Sequence, residues 1–122
     1  MASRSASWRP VLAIITLVLS ALAGAQEPEP RTIAVVARRF VFEPAEITVA
    51  VGERVRLLVT SGDGVHGIEI KRLNVKKEIP RGTKAVPIEF TATDAGRFPI
   101  LCSEYCGKDH ETMTGMLIVE VK

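Results

Sequence analysis

The chain has 122 residues, which leaves room for one domain, and 47% of them are hydrophobic, an ordinary share for a globular protein. Its formal net charge is +2. No patch of basic and aromatic residues accompanies this charge, so the composition argues against a nucleic-acid-binding protein.

The N-terminus has the three parts of a secretory signal peptide. Arg4 and Arg9 form a positive region, residues 11–23 are apolar, and Ala23-Gly24-Ala25 has the small residues of a cleavage site. The apolar run is shorter than the roughly 18 residues of a membrane-spanning helix, so cleavage is favoured over an uncleaved anchor. Removal of residues 1–25 takes away both arginines and no acidic residue, which leaves a formally neutral chain.

These features predict an exported protein, periplasmic or on the outer face of the cytoplasmic membrane. The expected organisation is a signal peptide or short anchor at residues 1–25, a polar linker with two prolines at 26–31, and one domain at 32–122. An uncleaved N-terminus would associate the domain with the membrane.

From Thr32 onward, apolar and polar residues alternate in short runs, which is typical of half-buried β-strands. Turn signals separate the runs, and no stretch of helical length is amphipathic. The pattern predicts an all-β sandwich of two sheets with about six to eight strands. The residues expected on the buried face are Ile47, Val49, Val51, Val55, Leu57, Val59, Val86, Ile88, Phe90, Phe98, Ile100, Leu117, Val119 and Val121.

Residues 102–113 contain both cysteines, one of the two histidines and one of the three methionines. Thiolate, imidazole and thioether together favour copper over zinc, which has little use for methionine. A thioredoxin-like site is disfavoured because Gly107, rather than proline, follows the second cysteine. A structural disulfide between Cys102 and Cys106 remains an alternative, although it would leave His110 and Met113 without a role.

The sequence of residues 102–113, CSEYCGKDHETM, resembles the ligand loop of the binuclear copper (CuA) domain of cytochrome c oxidase subunit II. In that family the pattern C-S-E-x-C-G-x-x-H-x-x-M supplies most of the metal ligands. The segment from Phe42 to His66 also resembles the cupredoxin family, a Greek-key sandwich that binds copper at one end. The resemblance extends over roughly residues 40–121 and implies a cupredoxin-like Greek-key β-sandwich.

The resemblance also implies a centre with two copper ions, both bridged by two thiolates and each capped by one histidine. A methionine sulfur and a main-chain carbonyl would be weak ligands, one to each ion. Taken alone, the upstream histidine would more often be an ordinary surface or core residue. The implied metal-binding residues are His66, Cys102, Glu104 (through its carbonyl), Cys106, His110 and Met113, whereas Met116 is expected to be core filler.

The function implied by the resemblance is one-electron transfer in or beside a respiratory chain. The domain would not be catalytic alone, and it could serve as the electron-accepting subunit of a cytochrome c oxidase. The implied partners are a c-type cytochrome or another redox protein, oxidase subunit I and a copper chaperone. Two alternatives remain: a periplasmic protein that binds or delivers copper for oxidase assembly, and a structural β-sandwich with a disulfide.

Three acidic residues and one basic residue lie in the loop: Glu104, Asp109, Glu111 and Lys108. They form either a solvated polar loop or an acidic rim that steers a basic cytochrome c.

Two features depart from the family. Full-length subunit II carries one or two membrane helices before this domain, and this chain has at most one short apolar segment. Subunit II also usually has a tryptophan near the point where electrons arrive, but Trp8 lies in the predicted signal peptide. Phe40 and Phe42 are the nearest comparable aromatic residues.

Overall fold

The computed structural model describes residues 2, 3, 5, 24 and 27–122. Most of the predicted signal peptide, including both flanks of its cleavage site, lies outside the described residues. Among the residues that are described, no helix is both long enough and apolar enough to cross a membrane.

Two β-sheets make up the domain, as the alternating pattern predicts. The strands are β1 (Arg31–Arg38), β2 (Val41–Glu43), β3 (Glu46–Ala50), β4 (Arg54–Ser61), β5 (His66–Ile70), β6 (Val75–Ile79), β7 (Val86–Thr91), β8 (Gly96–Leu101) and β9 (Thr114–Glu120). One sheet has the strand order β2-β1-β4-β7, and the other has the order β3-β9-β8-β5-β6. Two short 3-10 helices lie at Lys71–Leu73 and His110–Thr112.

The predicted all-β sandwich is confirmed, with nine strands in the described residues. The sequence predicts fewer because β2 has only three residues, too few for an alternating pattern to stand out. β6 is a second such case, since three of its five residues are exposed and consecutive. Both strands lie at sheet edges.

The buried face follows the predicted alternation most closely in β3 and β4. Ile47 and Val49 are buried in β3, and the three predicted residues of β4 are completely buried. Val121 is the exception, since it is 78% exposed. The prediction is wrong there because the pairing of β9 with β3 ends at Glu120 opposite Ala50, so Val121 lies beyond the sheet.

Strand direction places several chain segments at one end of the sandwich. β1 and β4 are parallel, so the turns that follow them, at residues 39–40 and 62–65, lie close together. β5 and β8 are antiparallel neighbours, so the first residue of β5, His66, lies near the residue that follows β8, Cys102. This end therefore carries the residues that the sequence assigns to copper.

Candidate metal centre

The ligand loop, residues 102–113, connects β8 to β9 and is closed by backbone hydrogen bonds. The Cys102 N–H donates to the Met113 carbonyl at 3.3 Å, which joins the two ends of the loop. Within the loop, the His110 N–H donates to the Gly107 carbonyl at 3.1 Å. Gly107 has a φ of +144°, a conformation that other residues rarely adopt. The backbone thus turns back and brings the donors of the loop together.

Cys106 lies at the centre of the donor atoms. Its Sγ lies 3.5 Å from the Cys102 Sγ, 3.7 Å from the Met113 Sδ and 3.8 Å from the His110 Nδ1. The Cys102 thiol donates to the carbonyl oxygen of Glu104 at 3.1 Å. Both cysteines are free and buried, and Met113 is completely buried. The structure therefore brings five of the six predicted metal-binding residues together within the loop.

The sixth residue, His66, comes from the distant strand β5 and is completely buried. One of its ring nitrogens and the sulfurs of Cys102 and Cys106 all lie within 4.8 Å of one another. The Nε2 atom is hydrogen-bonded to the carboxylate of Asp63, whereas the buried Nδ1 atom has no hydrogen-bond partner among the described residues. Buried polar atoms are normally hydrogen-bonded, so a histidine that has an unpartnered ring nitrogen and lies beside two thiols fits a metal ligand better than an ordinary core histidine.

Asp63 determines which nitrogen of His66 is available. Its carboxylate accepts hydrogen bonds from the backbone N–H groups of Arg39 at 2.8 Å and Gly64 at 2.7 Å, in addition to the His66 ring. Burial alone would raise the pKa of Asp63, but these hydrogen bonds outweigh burial and lower the pKa to about 2. The ionised carboxylate favours the proton on Nε2 and leaves the lone pair of Nδ1 free to bind a metal.

The donor chemistry of the site suits copper. Two thiols, a thioether and two imidazoles are soft or intermediate ligands, and they are assembled largely out of contact with water. The two histidines differ in position, since His110 is half-buried and lies outside the close group formed by His66 and the cysteines. Met116 is half-buried in β9, opposite Glu46 and Pro99, so it is neither in the loop nor fully in the core.

The sequence did not single out three residues that shape the site. Asp63 is one of them, although an aspartate three residues before a candidate ligand histidine is a usable sequence signal. Arg39 donates from Nε to the carbonyl oxygen of Cys106 at 2.7 Å. Gly67 allows the ligand loop to approach, because a Cβ there would lie 2.1 Å from the Ser103 Oγ and 2.8 Å from the Glu104 nitrogen.

The two phenylalanines before the site have different environments. Phe42 is 1% exposed and belongs to the core. Phe40 is half-buried and packs against the ligand loop, since a Cβ at Gly107 would lie 3.0 Å from its ring. Of these two phenylalanines, Phe40 is therefore the one that lies against the ligand loop.

Copper binding is expected to release a proton from Cys106. Burial, followed by the hydrogen bond with Cys102, raises the pKa of the Cys106 thiol to about 11. The thiol is thus protonated at neutral pH, and a metal must displace this proton to bind the thiolate. This contribution makes copper affinity rise about tenfold per pH unit below the pKa. A pH-indicator dye in weak buffer should record acidification when copper is added, and a copper affinity that is constant from pH 6 to about pH 8 would contradict the assignment of Cys106.

Comparisons with known proteins point to one family. The family model of the cupredoxin-like domain matches residues 10–119. Cytochrome c oxidase subunit 2 of Thermus thermophilus is 30% identical over 93 residues, which cover 76% of this chain and 68% of that protein. A second sequence with the same description, from a named strain of the same species, has the same identity, and this chain spans 55% of its length.

Solved structures show the same fold. The periplasmic domain of subunit II of cytochrome oxidase from Bradyrhizobium japonicum has a TM-score of 0.69 and 23% identity, covering 79% of this chain and 88% of that domain. A chain from the structure of a heme-copper terminal oxidase dimer has a TM-score of 0.66 and 27% identity, covering 84% of this chain and 76% of that one.

Proposed function

The chain belongs to the cupredoxin-like family and is homologous to cytochrome c oxidase subunit II, and from this we propose that it is an exported one-electron carrier with a binuclear copper centre. The proposed metal-binding groups are the sulfurs of Cys102, Cys106 and Met113, a nitrogen of each histidine, and the carbonyl oxygen of Glu104. His66 and His110 are the two histidines of the described chain.

The observation that carries this proposal is the His66 ring. The ring is completely buried, and one of its nitrogens lies within 4.8 Å of the sulfurs of the two free cysteines. Its Nε2 atom is hydrogen-bonded to Asp63, and its Nδ1 atom has no partner among the described residues. A purely structural sandwich would gain nothing from such a nitrogen, because an unsatisfied buried polar atom costs about 1–3 kcal/mol. A bound metal would satisfy it.

The protein's contribution is to hold the donors in position before the metal arrives. β5 places His66, the closed ligand loop places the other donors, and burial of Cys102, Cys106 and Met113 keeps water from the sulfurs. Two copper ions held by Cys102 and Cys106 would supply one-electron transfer with little reorganisation, because the electron would be spread over both metals.

A surface suitable for a redox partner lies beside the proposed ligands. Tyr105 is 78% exposed, and its ring centroid lies 5.9 Å from that of the half-buried His110. The side chains of Asp109 and Glu111 are also exposed on the loop, next to the exposed Lys108. We propose that a c-type cytochrome contacts this surface, with the acidic side chains attracting its basic residues.

Electron exchange with a basic c-type cytochrome tests this function. We expect reduction of the copper-loaded protein to be fast and to slow as salt increases, because exposed charges are screened beyond about 10 Å at 0.1 M ionic strength. Asp109→Asn/Glu111→Gln should weaken the salt dependence, whereas Lys76→Gln, on the edge strand β6, should leave it unchanged. Transfer too slow for turnover at every salt concentration would instead support a copper-delivery role in oxidase assembly.

The proposed electron carrier would be part of an oxidase complex. The homology to oxidase subunit II suggests association with other oxidase subunits. We propose that subunit I is one of them and that a chaperone loads the copper. The structural neighbour from Bradyrhizobium japonicum is a periplasmic domain, in keeping with the export that the N-terminal sequence predicts. Co-purification of this chain with haem-containing subunits from membranes would support membership of an oxidase complex.

A further inference from the structure

Arg39 contacts both segments that supply the proposed ligands. Its backbone N–H donates to Asp63, which in turn is bonded to His66, and its side-chain Nε–H donates to the main-chain carbonyl of Cys106. The two bonds are 2.8 Å and 2.7 Å long, and the second joins residues 67 positions apart in the sequence. Arg39 itself offers no atom to a metal, because a guanidinium is always protonated and has no acceptor.

We propose that Arg39 is a positioning residue of the copper centre, whose guanidinium holds the Cys106 segment in its metal-binding shape and whose charge raises the reduction potential. This inference rests on the proposed copper site. It concerns a residue that belongs to neither the C-S-E-x-C-G-x-x-H-x-x-M pattern nor the His66 segment.

The hydrogen bond to Cys106 matters because it lies next to Gly107, a residue of the ligand loop with high backbone freedom. Cys106 is followed by Gly107, whose positive φ lets the chain reverse toward His110. Glycine restricts the backbone least, so an external contact adds to the His110–Gly107 hydrogen bond in holding this turn in one conformation. The Arg39 side chain supplies that contact from one side, and the Phe40 ring packs against Gly107 beside it.

The charge of Arg39 acts on the redox state. Adding an electron to the metal centre makes it less positive, and a nearby fixed positive charge favours that reduced state. The side-chain Nε–H donates to the carbonyl of the residue that carries the central sulfur, which places the charge near the proposed metal position. Arg39 is exposed, so solvent screens part of this charge. Its removal should therefore lower the reduction potential.

Two substitutions separate the donor from the charge. Arg39→Gln places an amide N–H where arginine has Nε–H, so this variant keeps a donor for the Cys106 carbonyl and loses the charge. Arg39→Met has a side chain about as long as glutamine, but it loses both the donor and the charge. Arg38 provides the matched control, because it is the adjacent arginine and pairs with Glu43 on the exposed surface instead of contacting the loop.

We expect Arg39→Met to release copper to a strong chelator on the order of tenfold faster than the unmodified protein, about the effect of one charge-assisted hydrogen bond. Arg39→Gln should release copper within about threefold of the unmodified rate. Both variants should have a lower reduction potential, by similar amounts. Arg38→Met and Arg38→Gln should change neither quantity to a comparable degree.

The metal-free protein gives a readout that does not depend on copper. The backbone N–H of His110 is hydrogen-bonded inside the ligand loop, so its hydrogen exchange reports opening of that loop. Exchange should accelerate in Arg39→Met and stay near the unmodified rate in Arg39→Gln. If the chain bound no copper, the proposed function would fail, while this exchange comparison would still decide whether Arg39 holds the loop.

Two results would overturn the inference. Equal exchange and release rates in the Met and Gln variants would show that the donor does not hold the loop. Reduction potentials that shift as much for Arg38→Gln as for Arg39→Gln would show that only the overall charge of the protein matters.

Discussion

Replacement of Cys106 by serine is expected to damage the copper site far more than replacement of Cys102. The Sγ of Cys106 lies within 3.8 Å of three other donors, on Cys102, His110 and Met113. Among the described residues, the free thiol of Cys102 has hydrogen-bond contacts only with the Cys106 sulfur and the Glu104 carbonyl. Cys102→Ser therefore leaves a thiolate, two imidazoles and a thioether. That is the ligand set of a mononuclear blue-copper site.

Cys102→Ser should bind one copper and change colour. Cys106→Ser should retain copper at least about 100-fold more weakly than Cys102→Ser, an effect beyond the 10–100-fold usual for residues around the ligands. In that variant, the loop would have to refold to bring Cys102 and His110 onto one ion. Copper retention after dialysis against a chelator and the visible spectrum measure both outcomes. Identical spectra and equal retention would show that the central position of Cys106 does not control the site.

Gly67→Ala is expected to open the ligand loop without touching any proposed ligand. The new Cβ would lie 2.1 Å from the Ser103 Oγ and 2.8 Å from the backbone nitrogen of Glu104. The serine hydroxyl can rotate away, but the Glu104 backbone must move and take the neighbouring cysteines with it. We expect copper affinity to fall on the order of 100-fold and the free energy of unfolding by about 1–3 kcal/mol.

Ser103 allows the two clashes to be separated. Its Oγ is buried and has no hydrogen-bond partner in the described part of the chain, so Ser103→Ala alone should have little effect on stability or copper binding. In the double variant with Gly67→Ala the hydroxyl clash is gone and the backbone clash remains, so affinity should recover in part. Gly62→Ala is a milder comparison, since its Cβ would lie 3.2 Å from the Cβ of Arg38 and requires a shift of only a few tenths of an ångström. Unchanged copper affinity in Gly67→Ala would refute the close approach.

The fold was predictable because alternation of apolar and polar residues is a local signal. It located β3 and β4 with their buried residues, and it failed at Val121, where the end of pairing with β3 determines burial. Whether Val121 is paired depends on where a strand from another part of the chain stops. Alternation within β9 carries no such information.

The candidate site was predictable to the extent that its residues are close in sequence. The spacing of the donors in residues 102–113 is visible in the chain itself. The contacts of Arg39 and Gly67 are not, because they arise when β1 pairs in parallel with β4 and β5 lies beside β8. Asp63 is intermediate, since its bond to His66 spans only three residues but its bond to Arg39 depends on the fold.

The binuclear character of the centre is the central claim, and a copper count combined with paramagnetic resonance of the loaded protein tests it most directly. The reduced metal-free protein is titrated with copper, and the spectrum is recorded at saturation. We predict two copper ions per chain, with a hyperfine pattern that shows one unpaired electron shared equally by two copper nuclei. One tightly bound copper per chain, or an electron localised on a single copper, would contradict the account.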